Sequence, residues 1–249
     1  MQIWSRFFTY FIISAFFVDW DFIRKSILST QGLLLSIVTI AHVYSSYRSF
    51  QLLDSGVATT LYYIYPIIIL LFSGTGVSPI LLVSMFGVYL ISNDLKKPSE
   101  NPPPTATKPQ LWNEGIIAAF VAAITEAMIF FLVKNLRTTN NWNHLFLSYL
   151  FGAIGLTMYV WNNIATIPLS GGLSISLLVN ACIGLFGYYL RFYAITRLDA
   201  NIYAPLSYFG IIMSYVYGVF LNNDVLSIKK IIGTLCIVFT NLYILYFLK

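Results

Sequence analysis

Charge is what this chain has least of. It carries 14 basic and 9 acidic residues in 249, about 9% of the total, where an ordinary soluble domain is nearer about 25% charged. A soluble globule must dress its surface in polar groups, and too few are present. A cytosolic enzyme, a nucleic-acid-binding protein and a disordered chain are all excluded on that ground. Cysteine and histidine are equally scarce, two of each. Cys182 and Cys236 fall inside apolar runs and read as free, buried thiols. Two cysteines make no zinc site without histidine partners, and His42 and His144 lie in different segments at no ligand spacing. No metal or cofactor is expected. A G-x-x-x-x-G-K-[ST] phosphate loop is missing, so ATP drive would need a partner, and a G-x-S-x-G turn is missing too. The histidines have no acidic neighbours at close spacing, which disfavours a membrane-bound transferase.

What the chain has in abundance is apolar length. It is 58% hydrophobic, with a mean hydropathy of +0.78. Apolar runs of helical length lie near 4–19, 31–50, 56–73, 78–93, 114–134, 143–161, 172–195, 200–220 and 228–248. A run of about 20 apolar residues spans a hydrocarbon core as a helix, and several of these are nearer 16, which a thin bilayer or longer helices would accommodate. The runs are continuous, not alternating, so a β-barrel is excluded. The first run ends in FFVDWDF, bulky and acidic, not in a small-residue cleavage site, and is kept as a span. The expectation is an all-α polytopic membrane protein of about nine transmembrane helices. The net charge of +5 has no basic patch behind it and reads as membrane orientation and phospholipid contact.

One connection is unlike the rest. Residues 94–113 hold Pro98, Pro102, Pro103, Pro104 and Pro109 with three lysines, and read as an extended solvated linker. It parts the chain into residues 1–93 and 114–249, four spans and five. The two parts look related. Leu53-Asp54 aligns with Leu198-Asp199, Leu61 with Leu206, Tyr63 with Tyr208 and Tyr44 with Tyr189 at one offset. A shift of one residue then sets Gly87 on Gly233. Internal repeats in a polytopic chain are a transporter signature.

Three stretches carry a resemblance to a known family. YRSFQLLDSGVATTLYYIYPIIILL at 47–71 and YLRFYAITRLDANIYAPLSYFGIIMSYVYGVFL at 189–221 share a pattern: an aromatic-rich helix end, a short turn, small residues, then a helix with a proline in mid-span. DVLSIKKIIGTLCIVF at 224–239 follows an acidic residue and has a glycine near its start. In this order they resemble the drug/metabolite transporter superfamily, and within it the EamA-like transporters. The resemblance implies ten helices in two inverted five-helix halves. In that frame the first helix of the plan has no counterpart, and 4–19 stands for the second. Asp224 takes the acidic place in half two, while SGTGVSP at 73–79 offers no acid in half one.

Several polar residues inside apolar runs are candidates for substrate binding or coupling. An ionisable side chain near the middle of a span costs about 2.5–3.5 kcal/mol on insertion scales, so each needs a reason. Glu126 lies near the middle of 114–134, either as a proton-coupling carboxylate or partner of a substrate amine, or as a hydrogen-bonded tie between helices. Arg191 near the end of its span is either a fork for an anionic group or a side chain snorkelling to the interface. Arg48, beside a loop, fits the second description better. Among the 18 tyrosines, Tyr62, Tyr65 and Tyr203 stand out because they share helices with Pro66 and Pro205, where an intramembrane helix break is expected. Asn180 lies deep in its span, lining a path or bridging helices. Gly152, Gly155, Gly184 and Gly187 read as helix-packing faces.

The expected function is a secondary transporter moving a small polar metabolite by alternating access, coupled to protons or working by exchange. The alternative is a non-transporting membrane protein, an assembly factor or a shortened remnant. The partners expected are the lipid bilayer, a small-molecule substrate and a second copy of the chain as a homodimer, with no nucleic acid. Basic residues divide equally between the two sides of a nine-span chain, so orientation is not fixed by the positive-inside rule. Nothing in the sequence separates a plasma-membrane from an endomembrane location.

Overall fold

The computed structural model describes residues 1–53, 55–74, 80, 82–83, 86–87, 89–90, 109–163, 171–207, 209–222 and 226–247. Every element among them is a helix. With almost no side-chain charge to hydrate, the backbone must satisfy its own N–H and C=O groups, and a helix does so within one segment. The elements are α1 (Gln2–Ala15), α2 (Trp20–Ser26), α3 (Thr30–Leu52), α4 (Ser55–Tyr62), α5 (Tyr65–Phe72), α6 (Pro109–Asn135), α7 (Asn141–Asn162), α8 (Gly171–Arg197), α9 (Ala200–Ser207), α10 (Phe209–Asn222) and α11 (Ile228–Phe247). Among the described residues, Leu111–Asn135, Asn141–Asn162 and Ile175–Arg197 are long and apolar enough to cross a bilayer. The pair α2 and α3, bent by 88°, makes a fourth if counted as one span.

Several boundaries differ from the sequence expectation, each for a local reason. The run at 4–19 ends as helix at Ala15, because Asp19 starts a new one: its side chain accepts from the backbone N–H of Asp21 and Phe22. The run at 56–73 is two helices, parted at Tyr63 and Ile64. Pro66 sits in the first turn of α5, where its missing N–H removes no bond. Helix α5 closes on Ser73, and Gly74 follows at φ +83°, a left-handed turn that glycine enters without strain. Helix α6 begins at Pro109, so residues 109–113 are helix and not linker. A proline is tolerated in a first turn for the same reason as Pro66. The run at 200–220 is divided between α9 and α10, with Pro205 in α9. Asp54, Tyr208, Asp224, residues 75–79 and the linker residues 94–108 lie outside the described residues.

The chain forms two compact units, residues 1–44 with 128–198 and residues 45–127 with 199–249. In the first unit α1 packs on α7 and α8, α7 packs on α8, and α2 touches α7. Trp4 donates to Thr157 while Phe11 meets Phe146, so α1 and α7 are antiparallel. Thr196 bonds Asn141 while Tyr188 meets Tyr149, so α7 and α8 are antiparallel too. Helices α1 and α8 therefore run the same way. The close fit is at Gly152, which lies against the Phe7 ring, and at Gly184, which lies against the Tyr10 hydroxyl. Among the described residues nothing lies within 4 Å of a Cβ added at Gly155 or Gly187, unlike the other two glycines.

In the second unit α4 packs on α10, α5 on α9, and α9 on α11. One core cluster joins Leu53, Val57, Ala58 and Leu61 to Ala119 and Ile237; another joins Ile67 and Leu70 to Ala204. Gly87 lies directly on the backbone of Gly233. The ion pair between Arg48 Nε and Glu114 Oε1, 2.7 Å, ties α3 to the start of α6, so Arg48 does not simply snorkel. The outer surface is apolar: Trp161 is 75% and Phe186 66% exposed. Large apolar side chains left outside are what a bilayer solvates and water does not. Cys182 shares that surface and Cys236 is half-buried, so neither is the buried thiol expected.

Candidate functional site

The second unit gathers four of the sequence candidates. The break between α4 and α5 lets Tyr62, Tyr63 and Tyr65 fold back on one another, with ring centroids 5.1–5.5 Å apart. In an unbroken helix Tyr62 and Tyr65 would share a face, but Tyr63 would point about 100° away from Tyr62. Tyr65 is buried, 4% exposed, and its hydroxyl meets that of Ser207 in α9. Tyr203, one turn earlier in α9, is buried beside it, and Glu126 lies within electrostatic reach of the same hydroxyl. The Tyr63 hydroxyl reaches α10 and lies against Gly210, which has no side chain to block it.

Glu126 is 1% exposed. It shares one face of α6 with Ala119, Ala122 and Ala123, all fully buried. Those neighbours toward the start of α6 are small, so Glu126 is the longest side chain on that part of the buried face. The resulting cluster is one carboxyl and several phenol hydroxyls inside apolar helices. Chemically it can hold a proton, or accept and donate hydrogen bonds to a polar solute.

Arg191 and Asn180 belong to the first unit, about 16 Å apart along α8. Asn180 is exposed; the depth read from sequence said nothing about which way its face turns. Arg191 does not run out to the interface. Its guanidinium lies 4.8 Å from the centroid of the Tyr188 ring, one turn nearer the middle of α8. A second arginine, Arg6, lies 4.3 Å from the same centroid and donates to the Tyr149 hydroxyl at 3.3 Å. The Tyr188 hydroxyl is 3.3 Å from Nε2 of His42, itself 2% exposed.

Sequence reasoning treated Arg6 as a flanking charge and missed Tyr188 and His42. A signal was there: Arg6 with Tyr10, and Tyr188 with Arg191, stand at the i,i+4 and i,i+3 spacings that share a helix face. Pro66 is buried at the α4–α5 break, and Pro205 lies within α9. Among the described residues no group of three or more His, Cys, Asp or Glu could hold a metal ion.

Apolar helices of spanning length, an apolar exterior and polar clusters held inside define an integral membrane protein of the helical, multi-pass class. The particular family is shown by comparison. The model of the EamA-like transporter family matches residues 113–246, more than half of the chain, and the chain belongs to that family of membrane transporters. No curated protein matches it.

Proposed function

We propose that the protein is a secondary transporter that moves a small polar metabolite by alternating access, with Glu126 as its proton-coupling group. The observation that carries this reading is the placement of Glu126. An acid 1% exposed, within electrostatic reach of a buried tyrosine at a helix break, stands where a change of proton or partner can be coupled to a conformational cycle.

The reading includes nine spans in two inverted halves, residues 1–93 and 114–249, joined by the proline-rich segment. Two observations support it. The extent of the family match, 113–246, nearly coincides with the second half. In the second unit α4 packs on α10 and α5 on α9, so each piece of one broken span meets the opposite piece of the other. Inverted repeats related by a two-fold axis produce that exchange of partners. A small-molecule substrate and a homodimer complete the proposal.

The test is uptake into proteoliposomes, with and without a pH gradient, across amino acids, sugar phosphates, nucleotide sugars and organic cations. Saturable flux that a pH gradient drives, and that loses this drive in Glu126→Gln, is the expected result. Flux with unchanged pH dependence in Glu126→Gln removes the coupling role. No flux from folded, inserted protein removes the transporter reading in favour of a non-transporting one.

A further inference from the structure

The turn between α6 and α7 stands at a membrane face. Leu111–Asn135 and Asn141–Asn162 are both long and apolar enough to cross a bilayer, so residues 136–140 join them where they emerge. Helix α2 lies at the same level. Asp19, at its start, donates its backbone N–H to Asn143 near the start of α7, and Phe17 stacks on Trp142. Between α2 and α3 the chain bends by 88°, so with α3 passing into the bilayer α2 lies along its surface. Trp20 and Leu28 are exposed in this segment, Leu28 by 76%. An exposed indole and an exposed leucine beside basic residues suit the boundary between headgroups and acyl chains.

An open cavity of about 690 Å³ lies between this segment and the end of α6. Most of its lining is polar. Ser26, Ser29 and Gln31 come from one side, and Lys134, Asn135 and Arg137 from the other. Its size is that of a small-molecule site, about 300–1,000 Å³, but such sites are mostly apolar, and this one suits a charged, hydrated group. The wall is built in. Ser29 Oγ donates to the Ser26 carbonyl at 2.7 Å and accepts from the Gly32 N–H at 3.1 Å. Gly32 itself lies against that carbonyl, where a side chain would not fit.

The cavity is positive. No acid is among the described residues that line it, and among the described residues neither Lys134 nor Arg137 forms an ion pair. The carbonyl end of α6 and the N–H end of α3 both border it, so their dipoles offset each other and the two cations set its sign. Both cations are exposed, so an anion can reach them. Arg24 and Lys25, in the last turn of α2, add to the basic character of this end, against Asp19 and Asp21. The two pairs of cations are far apart in sequence, so no basic run announces them.

We propose that this cavity is the headgroup site of an anionic phospholipid, its phosphate held between Lys134 and Arg137 and its acyl chains outside, on the apolar surface at Leu28. The Arg137 guanidinium offers a planar fork to two phosphate oxygens, and Lys134 a compact charge. A basic pocket between spans at a membrane face is a recurrent means of holding such a headgroup. The site rests on the membrane placement of these helices and not on the transporter reading.

The test is a titration of the purified protein in uncharged detergent with dioctanoyl phosphatidylglycerol, bound lipid being counted by native mass spectrometry. Dioctanoyl phosphatidylcholine and inorganic phosphate are run beside it. Phosphatidylglycerol should bind saturably and in preference to phosphatidylcholine. Lys134→Gln and Arg137→Gln should each raise the half-saturating concentration about fivefold, and the double variant about thirtyfold. Lys25→Gln, also exposed but outside the cavity, should change it by less than about twofold.

Equal binding of phosphatidylcholine overturns the proposal, and so does unchanged binding in either cavity variant. A loss in Lys25→Gln as large as theirs overturns it too, because it shows diffuse attraction by a basic face. Inorganic phosphate that displaces phosphatidylglycerol at equal concentration overturns the lipid as occupant. The two cavity variants change different exposed side chains, so a folding failure in one leaves the other to decide.

Discussion

Gly87 lies so close to Gly233 that a methyl group on it would press on the Gly233 carbonyl oxygen, with Cys236 Cβ at 3.0 Å and Ile237 Cγ1 at 3.1 Å. These two glycines are the positions that the internal alignment of the sequence sets on each other. Their direct contact is what a local two-fold axis would produce in the inverted repeat proposed above. Without a hydrophobic driving force between helices in lipid, close backbone approach is a main source of their association.

Gly87→Ala should therefore destabilise the protein, by about 1–3 kcal/mol as overpacking does. Gly155→Ala, where an added carbon meets nothing, should leave stability unchanged or raise it by up to about 1 kcal/mol through helix propensity. Chemical denaturation in detergent compares the two. Equal stability of Gly87→Ala and wild type would show that the contact constrains nothing.

Gly152 makes a second such contact, with the Phe7 ring. Gly152→Leu should lower the melting temperature sharply, and Phe7→Ala alone should cost about 3 kcal/mol or more from the cavity it leaves. Together they exchange volume across one interface, so the double variant should recover part of both losses. Strict additivity of the two costs would show that the residues do not share a packing site.

Tyr65→Phe removes one hydroxyl and keeps the ring packed against Tyr62 and Tyr63. The lost contact with Ser207 should cost about 1 kcal/mol of stability. If the cluster handles solute or proton, uptake should fall by far more than that small loss of folded protein explains. Uptake per folded molecule equal to wild type would limit Tyr65 to a structural role.

The Arg48–Glu114 pair is short, but the side chains are 32% and 46% exposed. Water screens such a pair, so a double-mutant cycle should return a coupling of about 1 kcal/mol or less, weaker at high salt. A much larger coupling would mean that the pair is covered in the membrane.

Composition alone fixed the solvent of this protein. With 9% charged residues it cannot cover itself against water, and continuous apolar runs leave the helix as the one way to satisfy the backbone in lipid. The candidate Glu126 was legible because a polar residue stands out against an apolar background. Helix breaks were legible only as prolines. Where a break falls depends on capping, so the chain parts at Tyr63–Ile64, ahead of Pro66, and again at Asp19, where no proline stands. Which polar residues meet was a matter for tertiary structure. Sequence gives the depth of a residue along its helix and not the direction in which its face turns. Hence Asn180, deep in its run, is exposed, while Arg6, near the start of its own, reaches inward past Tyr10 to share Tyr188 with Arg191. Only packing of α1 against α7 and α8 brings those charges together, because it supplies the aromatic rings over which a guanidinium can leave the interface.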